Sequence, residues 1–345
     1  MRYRKLGRSG LTVSELCLGA MMFGGIASEE VANRIIDSAR DRGVNFIDTA
    51  DTYVRGRSEE VVGRALAKDR DRWVLATKVG NPVTDNPAPN ERGLSRKWIL
   101  HQAEASLRRL QTDYIDLYYL HREDPDTSLE ETLAALADLQ RQGKIRYYGV
   151  SNHQSWKLAA LSHLADARDL DRPAASQINY SIVNRTPEKE HFHLTGHYGP
   201  GVVVYSPLAR GVLTGKYVPG EPPPADSRAG RGGGHDKRRM QQTEWRAESL
   251  AIAQRLRAHA EALGITASEF AVAWALNNSA VASVIAGPRT EDQWQAYLRA
   301  LDYAVTAEDE TLVDSLVTPG HASTLGYNHP NDLAPFRRAP GGRAN

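Results

Sequence analysis

Eight short apolar runs, each followed by a stretch of helical periodicity, limit most strongly what this chain can fold into. A hairpin is expected over Lys5–Ser14, turning at Arg8-Ser9-Gly10. The strand-like runs are Glu15–Ala20, Asn45–Thr49, Trp73–Lys78, Tyr114–His121, Ile145–Ser151, Ala175–Tyr180, Val202–Pro207 and Ala282–Gly287. They are rich in Val, Ile and Tyr and do not alternate cleanly, the pattern of parallel strands buried on both faces. Ser28-Glu29-Glu30, Ser58-Glu59-Glu60 and Ser128-Leu129-Glu130-Glu131 read as helix starts, with Glu131 completing a capping box. Gly43 and Gly143 fall just past two helix ends, where a left-handed backbone is needed. Eight strand–helix units favour closure over an open sheet. The expectation is a (β/α)8 TIM barrel, one domain over residues 1–345, with an N-terminal β-hairpin and an extended C-terminal tail from about Pro319.

The seventh unit breaks the rhythm. Between Lys216 and Glu244 the chain is rich in Pro, Gly and Arg, and a structureless stretch of that length in a compact domain is usually functional or disordered. Helices at Trp245–Leu263 and Ser268–Asn277 are expected after it. The whole chain has 345 residues, a formal net charge of +1 and 41% apolar residues. That supports one large core and gives no electrostatic reason to expect a nucleic-acid partner. Cys17 is the only cysteine, so an internal disulfide is excluded. The polar opening Met1–Lys5 does not read as a signal segment, and no run approaches the roughly 18 apolar residues of a membrane helix. A soluble, cytoplasmic protein without membrane contact is the expectation, a homo-oligomer being compatible with it.

Barrels of this kind build their sites at the C-terminal strand ends. Asp48 ends strand two, Lys78 strand three and His121 strand four, while Tyr53 lies in the loop five residues beyond Asp48. Four ionisable groups on adjacent loops converge on one mouth. Their chemistry suits carbonyl reduction, in which charge developing on oxygen must be protonated. Tyr53 would give the proton, Lys78 would lower its pKa, Asp48 would hold Lys78 in place and His121 would orient the carbonyl oxygen. Taken singly, Asp48 reads as a loop acid, His121 as a structural histidine and Tyr53 as packing. A lysine ending a buried strand is harder to dismiss, because it needs a partner.

The run Gly43-Val44-Asn45-Phe46-Ile47-Asp48-Thr49-Ala50-Asp51-Thr52-Tyr53, followed by Ser58-Glu59-Glu60-Val61-Val62-Gly63, resembles the signature of the aldo-keto reductase superfamily. The resemblance spans about residues 2–305 and implies the four catalytic roles just described. The β subunits of voltage-gated potassium channels share the resemblance but lack the histidine. Gly149-Val150-Ser151-Asn152-His153 resembles the segment that holds the nicotinamide carboxamide, which assigns that role to Ser151 and Asn152, with Gln177 as third partner. Tyr205, in Tyr205-Ser206-Pro207-Leu208, matches the aromatic that stacks on the nicotinamide. Arg210, Gly211 and Lys216, with Arg228 beyond them, match groups that clasp the pyrophosphate, so the irregular stretch of about 216–244 becomes a coenzyme belt. Gly287, Arg289, Thr290 and Gln293 match the site of the adenosine 2′-phosphate, which favours NADPH over NADH. Gly19, Met21 and Asp48 complete the coenzyme set. Ala296-Tyr297 departs from the Glu-Asn that many relatives carry for the adenine.

The substrate is expected to be a small carbonyl compound held by Met22, Phe23, Tyr53, His121 and Arg122, with Arg122 favouring an oxygen-rich one. Two other readings are an NADPH-holding regulatory protein like the channel β subunits and a reductase of nucleotide-linked keto sugars. His191, His193 and His197 have metal-like spacing but no acidic or cysteine neighbours, so no metal is expected. No Gly-x-Gly-x-x-Gly follows a strand, no carboxylate pair suits glycoside cleavage, and Asp116 reads as a hydrogen-bonded structural acid.

Overall fold

Strands that are apolar on both faces need a sheet with both faces covered. The computed structural model, which describes residues 1–231 and 235–327, closes that sheet into a barrel. The antiparallel hairpin β1 (Tyr3–Lys5) and β2 (Thr12–Ser14) comes first. The barrel strands are β3 (Leu16–Gly19), β4 (Phe46–Asp48), β5 (Val74–Val79), β6 (Ile115–Leu120), β7 (Ile145–Ser151), β8 (Ala175–Asn179), β9 (Gly201–Tyr205) and β10 (Val281–Ala286). Neighbours in the chain are parallel neighbours in the sheet, and β10 closes on β3 through Val284–Leu16 and Ala286–Leu18. All eight expected strands are present, their ends displaced by at most two residues.

The core has two compartments. Inside the barrel Cys17, Phe46, Val74, Ala76, Leu117, Tyr119, Ala175 and Val203 pack together, joined by Leu6 and Val13 of the hairpin. The hairpin is thus a plug. It seats closely because Gly7, at φ +60°, has no Cβ; one there would lie 2.1 Å from the Gly199 carbonyl oxygen. Outside, the strands bury their other face under the helices, with Trp294, Phe270 and Tyr148 among the largest enclosed side chains.

Three local expectations need correction. The helix expected to begin at Ser58 runs Arg57–Leu66 behind a left-handed Gly56, and Ser58 is buried inside its first turn. Ser128 does cap the helix Leu129–Arg141, but Glu131 turns away and accepts from the Arg96 amide at 2.9 Å, so there is no reciprocal box. The irregular stretch contains a helix, His235–Gln242, which begins where the Pro and Gly of the stretch end in sequence, at Gly234. The helices after it are Ala247–Ala262 and Ala267–Asn277. The start of the tail is anchored: Arg246 donates to Ser323 and Thr324 at 3.0 and 2.9 Å and lies over the Tyr327 ring. The rest of the expected tail, 328–345, lies outside the described residues. Among these no helix is long and apolar enough to cross a membrane.

Candidate active site

The barrel register carries the ionisable groups to one end. Gly19 pairs with Asp48, Lys78 with Tyr119, and Ser151 with Gln177, all toward the C-terminal ends of adjacent strands. Asp48 and Lys78 are buried, at 2% and 0% exposure. A lysine in that position must satisfy three hydrogens internally. It does so: Nζ donates to the Asp48 carboxylate, to the Thr49 carbonyl at 2.7 Å and to the Tyr53 hydroxyl at 3.3 Å. Burial works against its charge, but Asp48 and then Tyr53 raise its pKa above the ordinary 10.5.

Tyr53 is half-buried, and its ring meets His121 edge-on with centroids 5.7 Å apart. Burial raises the phenol pKa above 10.0; Lys78 opposes that and Asp48 adds to it. The net direction corrects the expected lowering, since burial of the phenol outweighs the ammonium and Asp48 adds to it. Tyr53 therefore keeps its proton at neutral pH. Burial, then Lys78 and Arg122, push His121 well below 6.5, so its imidazole is neutral. Its Nδ1 is buried without a partner among the described residues.

The groups expected around a nicotinamide also meet here, in a bonded network. Gln177 Nε2 donates to Asp48 Oδ2 at 2.8 Å, Tyr205 Oη to Asn152 Oδ1 at 2.6 Å, and Asn152 Nδ2 to the His121 carbonyl at 3.0 Å. Asn152 and Ser206, just past the ends of β7 and β9, hold left-handed backbones. Ser151 is buried beside them, with its Oγ accepting from Asn152 at 3.0 Å, and Pro207 is buried while Leu208 is partly exposed. Gly149 has no side chain because the Tyr119 ring crosses it; a Cβ would sit 2.7 Å from that ring.

A second group of expected residues gathers cations. Lys216, after β9, has its pKa lowered by burial and then by Arg289, Arg228 and Arg231, with Asp226 opposing them. Among the described residues neither Lys216 nor Arg289 has a carboxylate at ion-pair distance. Thr290 caps the helix Glu291–Arg299, its hydroxyl accepting from the Gln293 amide, while the Gln293 side chain accepts from the Arg289 amide at 3.0 Å. Gly287 is open on its Cα face. Arg210 is instead ion-paired with the buried Glu244 at 3.0 Å, and Gly211 takes up a left-handed φ of +96° beside it. Tyr297 is buried, its phenol raised to about 12 by burial, with the Gly287 backbone and Arg228 opposing.

The pocket lining changes. Phe23 is 0% exposed and packs in the outer core, so it cannot face a substrate, and Met22 is buried beside it. The residues just after β3 fold back through a Phe23–Ala27 bridge, which turns Met21 outward instead. Arg122 is exposed next to His121. A separate cleft of about 430 Å³, lined by Tyr180, Arg185, Glu188, Phe192, Trp274 and Glu310, holds polar groups already bonded to each other. His191 is a satisfied structural histidine, 2.8 Å from Ser176 Oγ, and no cluster of three metal-binding side chains exists among the described residues. Asp116 is structural, accepting from Arg70 and the Leu75 amide, though only partly buried.

Sequence reasoning passed over the buried network around Glu59. Glu59, fully buried, accepts from Thr77 at 2.6 Å and from Arg109 at 2.5 Å. Arg109 lies across Gly56, where a Cβ would come within 2.8 Å of it. Asp51 is also fully buried, without a side-chain partner among the described residues; burial and then Glu59 push its carboxyl well above the ordinary range. The Ser-Glu pair looked like a helix start, and only the left-handed Gly56 ahead of it could have shifted that reading.

Residues 15–318 match the model of the aldo/keto reductase family. A probable voltage-gated potassium channel subunit beta of Arabidopsis thaliana is 37% identical over 88% of this chain and 92% of its own length. A protein of the same description from Oryza sativa subsp. japonica is 37% identical over 95% of this chain and 100% of its own. The uncharacterized oxidoreductase YrpG of Bacillus subtilis (strain 168) is 37% identical over 95% of this chain and 99% of its own.

Proposed function

Because the chain belongs to the aldo/keto reductase family, we propose that it reduces an aldehyde or ketone to the alcohol with NADPH, Tyr53 acting as the general acid. The observation that carries this reading is how the Lys78 hydrogens are allocated. Tyr53 Oη accepts one of them, so its own hydrogen turns away from Lys78 and is available to a carbonyl oxygen at the mouth. A bound nicotinamide would supply the hydride. Neutral His121 donates to the same oxygen and orients it, and Lys78 stabilises the phenolate left after proton transfer. Ser151, Asn152 and Gln177 surround the place for a carboxamide, and Tyr205 offers its ring beside them. Lys216, Arg228 and Arg289 suit phosphates, and their number favours the coenzyme with the extra one.

The test is a fluorescence titration with NADPH and NADH, followed by NADPH oxidation against a panel of aldehydes and ketones. In Tyr53→Phe we expect turnover to fall at least about 10²-fold while NADPH affinity holds. Turnover that survives the substitution would remove Tyr53 from the mechanism. The two relatives named as probable channel subunits favour a second reading, a coenzyme-binding regulatory protein. Tight NADPH binding with no turnover on any carbonyl would select it.

A further inference from the structure

We infer that the hydroxyls of Thr49 and Ser58 form a buried clasp that positions Lys78 and closes the loop carrying Tyr53. Both are positioning residues: they act through Lys78. The Ser58 hydroxyl donates to the Ala20 carbonyl at 2.7 Å. Its only hydrogen is thereby used, so the 2.7 Å contact between the two hydroxyls is Thr49 donating to Ser58. The Thr49 carbonyl accepts from Lys78 at 2.7 Å, and the Ala20 amide donates to the Asp48 carbonyl at 2.8 Å. The circuit therefore runs from the first turn of the helix Arg57–Leu66 to the ends of β3 and β4 and into the ammonium. Thr49 and Ser58 are both 0% exposed, so water cannot replace a lost partner.

The loop between them is held against its own preference. Val54, Arg55 and Gly56 take φ of 49°, 56° and 90° in succession, a left-handed run that a β-branched residue rarely enters. That run brings the chain back so that Ser58 lies against Thr49. Without the clasp the loop is free to unwind, and the Thr49 carbonyl loses its fixed place against Lys78.

The kinetic consequence rests on the reductase reading; the geometric one does not. Thr49→Val removes the hydroxyl at nearly constant volume, and Thr49→Ser retains it. In Thr49→Val we expect kcat to fall about tenfold, the cost of a misplaced catalytic group, with the NADPH KM unchanged. Independently of turnover, the Tyr53 phenol can be titrated by NMR of ring-labelled tyrosine, its resonance identified by its loss in Tyr53→Phe. With Lys78 loosened, its pKa should rise by about one pH unit in Thr49→Val and return in Thr49→Ser. Ser58→Ala should act as Thr49→Val does; if it fails to fold, the Thr49 pair decides. A Tyr53 titration identical in wild type and Thr49→Val overturns the clasp. Absence of carbonyl turnover in wild type would instead defeat the reductase reading, and the NMR titration would still settle the clasp.

Discussion

Lys78 spends its three hydrogens on Asp48, Thr49 and Tyr53, and the charges of the neighbouring groups follow from that. Tyr53 stays protonated up to and beyond 10.0, and His121 stays neutral down to and below 6.5. Neither changes charge between those values. The kcat for reduction should therefore be flat from pH 6.5 to 10.0 and fall only above, as Tyr53 ionises. A bell centred on neutrality in a pH–rate profile would contradict it. The same histidine has a consequence for stability. Below pH 6.5 the unfolded chain takes a proton on His121 that the native site refuses, so stability drops as pH falls through that value. His121→Phe should flatten this part of a melting-temperature profile against pH. Asp48, Lys78 and His121 were legible in the sequence because each lies at or beside the end of a strand whose pattern is plain. Tyr53 was legible from its distance to Asp48. The Thr49 carbonyl was not, since a backbone acceptor leaves no mark on composition.

Helix boundaries show the same division. Ser28 and Ser128 accept from the third residue beyond them, as their sequence positions suggest, and Ser95 does the same without having been singled out. Ser58 does not, because a helix start also depends on the backbone ahead of it, and the cap lies two residues earlier, at Gly56 with φ +90°. The reciprocal boxes are elsewhere, at Thr266 with Glu269 and at Thr306 with Asp309. Glu269 accepts from the Thr266 amide at 2.8 Å and also from Arg299 at 2.5 Å, so the box ties the helix Ala267–Asn277 to Glu291–Arg299. Thr266→Ala should cost about 1 kcal/mol in urea unfolding, the usual loss for such a cap. It touches none of the proposed catalytic side chains, so kcat should not change. A loss no larger than that of an exposed Thr→Ala would show that Arg299 alone holds Glu269.

At the scale of the whole barrel, the cations proposed to hold phosphate come from loops far apart in sequence. Lys216 follows β9, Arg228 and Arg231 come from the irregular stretch, and Arg289 follows β10; barrel closure brings these elements side by side. Burial, and after it their repulsion, already lower the Lys216 pKa. A polyanion bound among them would relieve that repulsion, so the free protein is predisposed to bind one. Two measurements follow. Raising the salt concentration should weaken NADPH binding more than NADH binding, because the additional phosphate engages more of the cations. Arg289→Ala should weaken NADPH by about 1.5–3 kcal/mol, the range for a hydrogen bond to a charged group, and leave NADH nearly unaffected. Equal losses for the two coenzymes would place Arg289 on a phosphate that both share, and the proposed preference for NADPH would then need another source. Retained NADPH affinity in Arg289→Ala, with salt dependence intact, would assign the phosphate contact to Lys216 and the irregular stretch alone.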